Sequence, residues 1–183
     1  MSNQYRNYRV SVRASWWDYK NQGLYFITIC TKNRQHYFGK ISNGIMHLSS
    51  IGNIVQQEWL KTFEIRTDMN LTLSEFVVMP NHFHAIIGIG PNSFNTSRGT
   101  MHCALTCIEK NQNKFGPQSK NIASIIRGFK SSVTSKTRVL QVSFNWQRGF
   151  YDHIIRNEQA YENIAIYIQE NPKNWPKDLF YRL

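Results

Sequence analysis

The sequence predicts an α+β domain with the ferredoxin-like order β-α-β-β-α-β, an antiparallel sheet and one further helix towards the C-terminal end. Runs of β-branched and aromatic residues are typical of buried strands, and between them apolar residues recur every three or four positions, as on one face of a helix. A length of 183 residues suits one domain. We therefore expect a single domain at residues 23–183, preceded by a basic, aromatic arm at residues 1–22.

The first third of the chain predicts a strand, a hairpin and a helix. Aromatic and β-branched residues fill positions 24–31, which indicates a buried strand. A small hairpin is expected around Asn43-Gly44, because this pair favours a two-residue turn. Ser49 or Ser50 can then cap a helix that ends near Arg66. The apolar face of this helix consists of Ile51, Val55, Trp59 and Phe63, at a spacing of four.

The middle of the chain predicts a hairpin of two longer strands. Residues 71–79 have the composition of a strand, and Pro80-Asn81 is a natural turn into the next strand, which begins at His82. Residues 90–119 are rich in Gly, Pro, Asn and Ser and have no regular periodicity. They predict a long loop inserted at the surface.

The last part of the chain predicts a helix, a strand and a final helix. Apolar residues on one face indicate a helix over residues 120–136, and aromatic and β-branched residues indicate a fourth strand over residues 144–155. The last helix is expected to begin at Asn157, and Asn171-Pro172 is expected to end it.

Two histidines stand two residues apart in the strand that follows Pro80. Alternate side chains of a strand project from the same face, so His82 and His84 are expected to point together while Phe83 points into the core. Two neighbouring imidazoles can hold a divalent metal ion. Two histidines in a strand also occur without any metal, so the pair alone leaves both interpretations open.

The last helix can supply the oxygen atoms that such a site needs. Tyr167 and Asn171 are four residues apart, so they lie one above the other on one helix face. Asn171 can offer a carbonyl ligand, and Tyr167 can offer a nucleophilic oxygen. Taken separately, a buried tyrosine and an asparagine at a helix end are both ordinary features.

The chain is strongly basic, with 22 Lys and Arg against 11 Asp and Glu and a net charge of +11. This charge favours a polyanionic partner, and nucleic acid is favoured over an anionic membrane surface. No apolar run reaches the roughly 18 to 20 residues of a spanning helix and no signal peptide is apparent, so we expect a cytoplasmic protein with no membrane partner.

Basic residues are concentrated between residues 97 and 138, where the sequence contains eight basic residues and one acidic residue. The candidate DNA-binding residues there are Arg98, Lys120, Arg127, Lys130 and Arg138.

Several other side chains are candidate functional groups. His102, Cys103 and Cys107 match no strong zinc signature and lack an evident fourth ligand. His153 can support the site from the predicted fourth strand or only pack there. The alternative nucleophiles Tyr151 and Tyr161 have no amide ligand four residues further along, unlike Tyr167.

Three motifs in this order resemble the HUH single-tyrosine transposases, and within them the REP-associated tyrosine transposases of bacteria. The likeness runs from about Leu24 to Trp175, although the interval between His84 and Tyr167 is longer than the family's usual pattern because of residues 90–119. The three motifs are Met79-Pro80-Asn81-His82-Phe83-His84, residues 146–157 (Trp-Gln-Arg-Gly-Phe-Tyr-Asp-His-Ile-Ile-Arg-Asn), and Tyr167-Ile168-Gln169-Glu170-Asn171-Pro172.

The resemblance implies a function and a set of roles. It implies that Tyr167 is the nucleophile, that His82, His84 and Asn171 bind Mg²⁺ or Mn²⁺, and that the enzyme cuts and rejoins single-stranded or hairpin DNA through a 5′-phosphotyrosine. It also implies a bacterial, nucleoid-associated protein working as a monomer or a homodimer. The alternative is a domesticated relative that binds DNA hairpins without catalysis.

Overall fold

The computed structural model describes residues 17–95 and 119–181. Apart from a small hairpin, its strands and helices follow the β-α-β-β-α-β order with a final helix, so the predicted fold class is confirmed. In chain order the elements are β1 (Gly23–Cys30), β2 (Gly39–Ser42), β3 (Ile45–Leu48), α1 (Ser50–Ile65), β4 (Leu71–Val78), β5 (His82–Ile89), α2 (Ile122–Thr137), β6 (Tyr151–Ile155) and α3 (Glu158–Glu170).

The main sheet has four strands in the order β4-β5-β1-β6, and every neighbouring pair is antiparallel. The predicted hairpin around Asn43-Gly44 forms a separate two-stranded sheet of β2 and β3. In the main sheet β1 occupies an inner position, where Thr28 pairs with His84 of β5 on one side and with Tyr151 of β6 on the other. Strand β1 therefore joins the histidine strand to the edge strand.

The two faces of the sheet are covered by different helices. Helices α1 and α2 pack on the face that carries Phe83, whose ring lies 5.0 Å from Trp59 of α1 and 5.5 Å from Phe129 of α2 between ring centroids. Helix α3 covers the other face, where Ile168 packs with Ile86 of β5. Because strand side chains alternate, His82 and His84 lie on the α3 face, as the sequence predicts.

Side-chain caps fix where the helices begin. The Ser49 hydroxyl accepts a hydrogen bond from the backbone N–H of Gly52 at 3.1 Å, so Ser49 is the N-cap of α1. Asn121 and Ser124 form a reciprocal capping box at the start of α2. Asn157 accepts from the backbone N–H of Ala160 at 2.8 Å, which starts α3 where the sequence predicts it.

The fourth strand is shorter than predicted. Instead of residues 144–155, only Tyr151–Ile155 form a strand, and residues 144–150 form a loop. The loop still bonds to the end of β1, since Gln147 donates its N–H to the Cys30 carbonyl at 2.8 Å. Gly149, with a φ of +78°, breaks the extended path. The aromatic residues that suggested a strand, Phe144 and Trp146, instead pack against the core.

Parts of the predicted arm and insertion lie outside the described residues. This holds for residues 1–16 and 96–118, and so for Arg98, His102, Cys103 and Cys107. The predicted second helix begins at Ile122 rather than 120, because Lys120 has a φ of +58° and Asn121 is the cap. Within residues 17–95 and 119–181, no helix is both long enough and apolar enough to cross a bilayer.

Candidate metal and nucleophile site

The two histidines of β5 meet the last helix at one point of the sheet. The imidazole rings of His82 and His84 have centroids 4.4 Å apart, and both side chains are buried. The Tyr167 hydroxyl lies 3.1 Å from Nε2 of His84. Phe26 of β1 holds this arrangement, since its ring stacks on His84 at 5.2 Å and meets Tyr167 edge-on at 6.2 Å. The fold thus brings together the histidine pair and the tyrosine that the sequence singled out.

Hydrogen bonds on the far side of each ring orient the histidines. Nδ1 of His82 lies 2.9 Å from Oδ1 of Asn81, whose amide nitrogen donates to the carbonyls of Arg34 and Phe180. The Asn81 oxygen must therefore accept, which puts the proton of His82 on Nδ1 and leaves Nε2 with a free lone pair. Nδ1 of His84 lies 2.8 Å from the Thr28 hydroxyl, which can hold the same tautomer.

Burial keeps both imidazoles uncharged near neutral pH. It lowers the pKa of His82 well below its usual value and the pKa of His84 to about 3. The Phe180 ring adds to this exclusion of water, with its centroid 4.7 Å from the His82 ring and 5.8 Å from the His84 ring. Neutral imidazole is the form that binds a metal ion.

An aspartate that the sequence analysis missed completes the cluster. One oxygen of Asp178 and one nitrogen each of His82 and His84 all lie within 4.8 Å of one another. Asp178 also accepts a hydrogen bond from Nδ2 of Asn171 at 3.1 Å. It stands after the last helix, in a turn whose course no strand or helix pattern predicts. A lone acid just beyond the tyrosine helix of a basic chain is the weak signal that was available.

The donor atoms fit a divalent metal ion. Two buried atoms, Nε2 of His82 and Oδ1 of Asn171, have no hydrogen-bond partner among the described residues. Unpaired buried acceptors are costly, and a cation would satisfy both of them. Together with His84 and Asp178 they offer two nitrogen and two oxygen donors, a set that can hold a divalent cation.

Tyr167 is placed as an accessible but protonated phenol. Tyr167 is 43% exposed, so the residue is not sealed in the core. Burial of the remainder, together with the negative charge of Asp178, raises the pKa of Tyr167 above its usual value. The hydroxyl proton must leave if this oxygen is to act as a nucleophile.

The metal-free protein is expected to lose stability as pH falls below about 6.5. The unfolded chain protonates His84 near pH 6.5, whereas the folded chain holds its pKa at about 3, so the unfolded state binds more protons between these values. From pH 6.5 to 5 this one group should remove about 2 kcal/mol of the free energy of unfolding. Urea unfolding in the presence of a chelator measures it. A His84→Gln variant should show a smaller loss, and an equal loss would contradict the assignment.

The alternative side chains are arranged differently. The Tyr161 hydroxyl donates a hydrogen bond to Glu75 at 2.8 Å and lies 3.0 Å from the Ser74 hydroxyl. It is therefore hydrogen-bonded to strand β4. Tyr151 and His153 are exposed on β6 and share the sheet face of the metal cluster, because they pair with Thr28 and Phe26 of β1. Within the described residues, no nitrogen of the two site histidines bonds to either of them.

The described basic candidates lie at or near α2, on the opposite side of the sheet from the histidines. Lys120 pairs with Asp68 and lies 4.7 Å over the Phe94 ring. Lys130 donates to the carbonyls of Gln147 and Gly149 at 2.7 and 2.9 Å, so its ammonium holds a loop. Arg127 and Arg138 are exposed. Lys130, Arg127 and Arg138 therefore lie on the opposite face of the sheet from the Tyr167 site.

The chain is similar to known proteins both in sequence and in fold. The sequence is 40% identical over 180 residues to an uncharacterized protein of Haemophilus influenzae, a match that covers 96% of this chain and 94% of that protein. No protein-family model matches the sequence. Among solved structures, the chain is similar to a REP-associated tyrosine transposase bound to a REP hairpin, with a TM-score of 0.56 and 20% identity over 88% of this chain and 74% of the other.

Proposed function

The chain belongs to the family of the Haemophilus influenzae protein and has the fold of the REP-associated tyrosine transposases, and from this we propose that it cuts and rejoins single-stranded DNA through a covalent bond to Tyr167. The DNA would carry hairpin or REP-like sequences, because the solved structure of that fold is bound to a REP hairpin. The net charge of +11 supports a polyanionic substrate.

One observation carries the proposal more than any other. The Tyr167 hydroxyl lies 3.1 Å from His84, at the edge of a group of buried and half-buried donor atoms from His82, Asp178 and Asn171 that could hold a metal ion. A tyrosine with a structural role has no need of such neighbours. A nucleophile that attacks a phosphodiester does, because the phosphate is negatively charged and must be neutralised and oriented.

In the proposed reaction, the Tyr167 oxygen forms a bond to phosphorus and the bond to the preceding 3′ oxygen breaks. The phenol gives up its proton, and the leaving 3′ oxygen takes one to become a hydroxyl. A divalent ion held by His82, His84, Asp178 and Asn171 would supply the positive charge that neutralises the phosphate oxygens. Phenolate is a better leaving group than an alkoxide, since the phenol pKa is about 10. The 5′-phosphotyrosine therefore retains the energy for rejoining, and no external energy source is required.

Labelled single-stranded oligonucleotides test the proposal directly. Incubated with the protein and Mn²⁺, they should yield a species that migrates with the protein on a denaturing gel, and a chelator should abolish it. Oligonucleotides that contain REP-like hairpins should react more than scrambled sequences of equal length. Retardation under native conditions with no covalent species at any metal concentration would favour the non-catalytic DNA-binding protein instead.

A further inference from the structure

The Tyr167 site and the basic helix α2 lie on opposite faces of the sheet, and the edge strand β6 separates them. We propose that a second site for single-stranded DNA lies in the pocket between α2 and the loop of residues 141–150, and that the strand reaches it from Tyr167 round the β6 edge. This inference rests on the proposed function, since it concerns the same DNA.

The pocket has the chemistry of a nucleotide subsite. Its volume is about 330 Å³, at the small end of the range for ligand pockets and too small for a duplex. The exposed guanidinium of Arg138 and the hydroxyl groups of Ser131 and Ser135 can donate to a phosphate, while the indole of Trp146 can stack on a base. The lining residues are Lys130, Ser131, Thr134, Ser135, Arg138 and Trp146.

The stacking surface is held rigidly. The ring centroid of Trp146 lies 5.0 Å from that of Phe144 and 6.0 Å from that of Phe129, and its Nε1 donates to the Lys130 carbonyl at 3.2 Å. The side chain is half-buried, so part of it remains available to a ligand. A ring already fixed by packing loses little conformational entropy when a base stacks on it.

Lys130 and Arg138 have different tasks in this pocket. The Lys130 ammonium lies 5.7 Å over the Trp146 ring and is bonded to the carbonyls of Gln147 and Gly149. It therefore fixes the loop that forms one wall. Arg138 follows the end of α2 and is exposed, with a guanidinium suited to bidentate phosphate binding.

The edge strand β6 and the loop before it lie between the pocket and the Tyr167 face of the sheet. Tyr151 is 47% exposed and is paired with Thr28, which in turn is paired with His84. Two strand spacings place the backbone of Tyr151 about 10 Å from that of His84. Exposed Arg148 lies in the loop between Tyr151 and the pocket. An aromatic ring and a cation along the way match the surfaces that hold unpaired bases and their phosphates.

Oligonucleotide length provides the test. With a chelator present to prevent cleavage, affinity is measured for strands that carry the same cleavage sequence and increasingly long single-stranded flanks. Arg138→Ala should weaken binding of the longer strands about tenfold and lower the slope of log affinity against log salt by about one, while short strands bind as before. The matched control is Lys40→Ala, which removes one exposed charge from the separate β2–β3 hairpin.

A second measurement covers the aromatic part of the pocket. The Trp146→Phe substitution keeps an aromatic ring in the packed position but removes the tryptophan of the pocket. Long single strands should therefore quench the total tryptophan fluorescence of this variant less than that of the unaltered protein. Equal effects of Arg138→Ala and Lys40→Ala, or a duplex flank that binds as well as a single-stranded one, would overturn the inference. Because no cleavage is needed, a protein that shows these effects but never forms an adduct would refute the proposed function and leave the second site standing.

Discussion

Tyr167→Phe should abolish both nicking and the covalent protein–DNA species, with a loss of more than about a thousandfold, while DNA binding persists. The substitution removes one oxygen and keeps the ring, whose edge-on contact with Phe26 helps to place α3 over the sheet. The remaining donor atoms at His82, His84 and Asp178 are untouched. Denaturing gels measure the adduct and native gels measure binding on the same samples.

Tyr161→Phe is the matched control for this experiment. Tyr161 lies on the same helix as Tyr167, and the substitution also removes a hydroxyl group. The hydrogen-bond partners of that hydroxyl are Glu75 and Ser74 of β4 rather than the histidines. The Tyr161→Phe variant should retain the adduct. Continued cutting by the Tyr167→Phe variant would mean that water is the nucleophile and that the transposase-like chemistry is wrong. Loss of the adduct in Tyr151→Phe alone would mean that the nucleophile is the exposed tyrosine of β6.

His82→Ala should lower activity at limiting Mn²⁺ by more than about a hundredfold, with partial recovery at high Mn²⁺. The change removes Nε2, a buried atom with no hydrogen-bond partner among the described residues, so a bound ion would lose one of its two nitrogen ligands. Three donor residues remain, His84, Asp178 and Asn171. Titration of Mn²⁺ followed by calorimetry measures the affinity separately from the reaction.

His153→Ala and Asp178→Asn make this test specific. His153 is exposed on the same face of the sheet, so its loss should leave Mn²⁺ affinity unchanged. Asp178→Asn removes the negative charge from the cluster and should weaken Mn²⁺ binding as His82→Ala does. Unaltered Mn²⁺ affinity in the His82→Ala variant would show that the ion is held elsewhere.

Local patterns in the sequence were sufficient for much of the fold. Some elements depend only on residues close together in the sequence, and these lie where they were predicted. They are strand β1, the turn at Asn43-Gly44 and the helix caps at Ser49 and Asn157. The face of His82 and His84 followed from strand alternation alone. Helix spacing placed Tyr167 on one face with Asn171, and the family resemblance implied that Tyr167 lies beside the histidines, where it is found.

The features that the sequence did not predict depend on tertiary contacts. Phe144 and Trp146 have the composition of a strand, but they pack on the core with Phe38 from a loop. Asp178 reaches the histidines through a turn after α3 that has no periodic pattern. That α2 lies on the opposite face from Tyr167 becomes visible only once the sheet order is known, since the basic composition of a helix does not tell which way it faces.

The inner position of β1 also has a consequence for how the protein is synthesised. Its two partners, β5 and β6, both follow it in the chain, and β6 is the last strand. Such long-range pairing slows folding because a large loop must close before the contacts form. The ribosome therefore has to complete residue 155 before the sheet can close, and until then an apolar strand near the amino terminus has no partner on its β6 side. Nascent chains of this protein are expected to depend on chaperones for that interval.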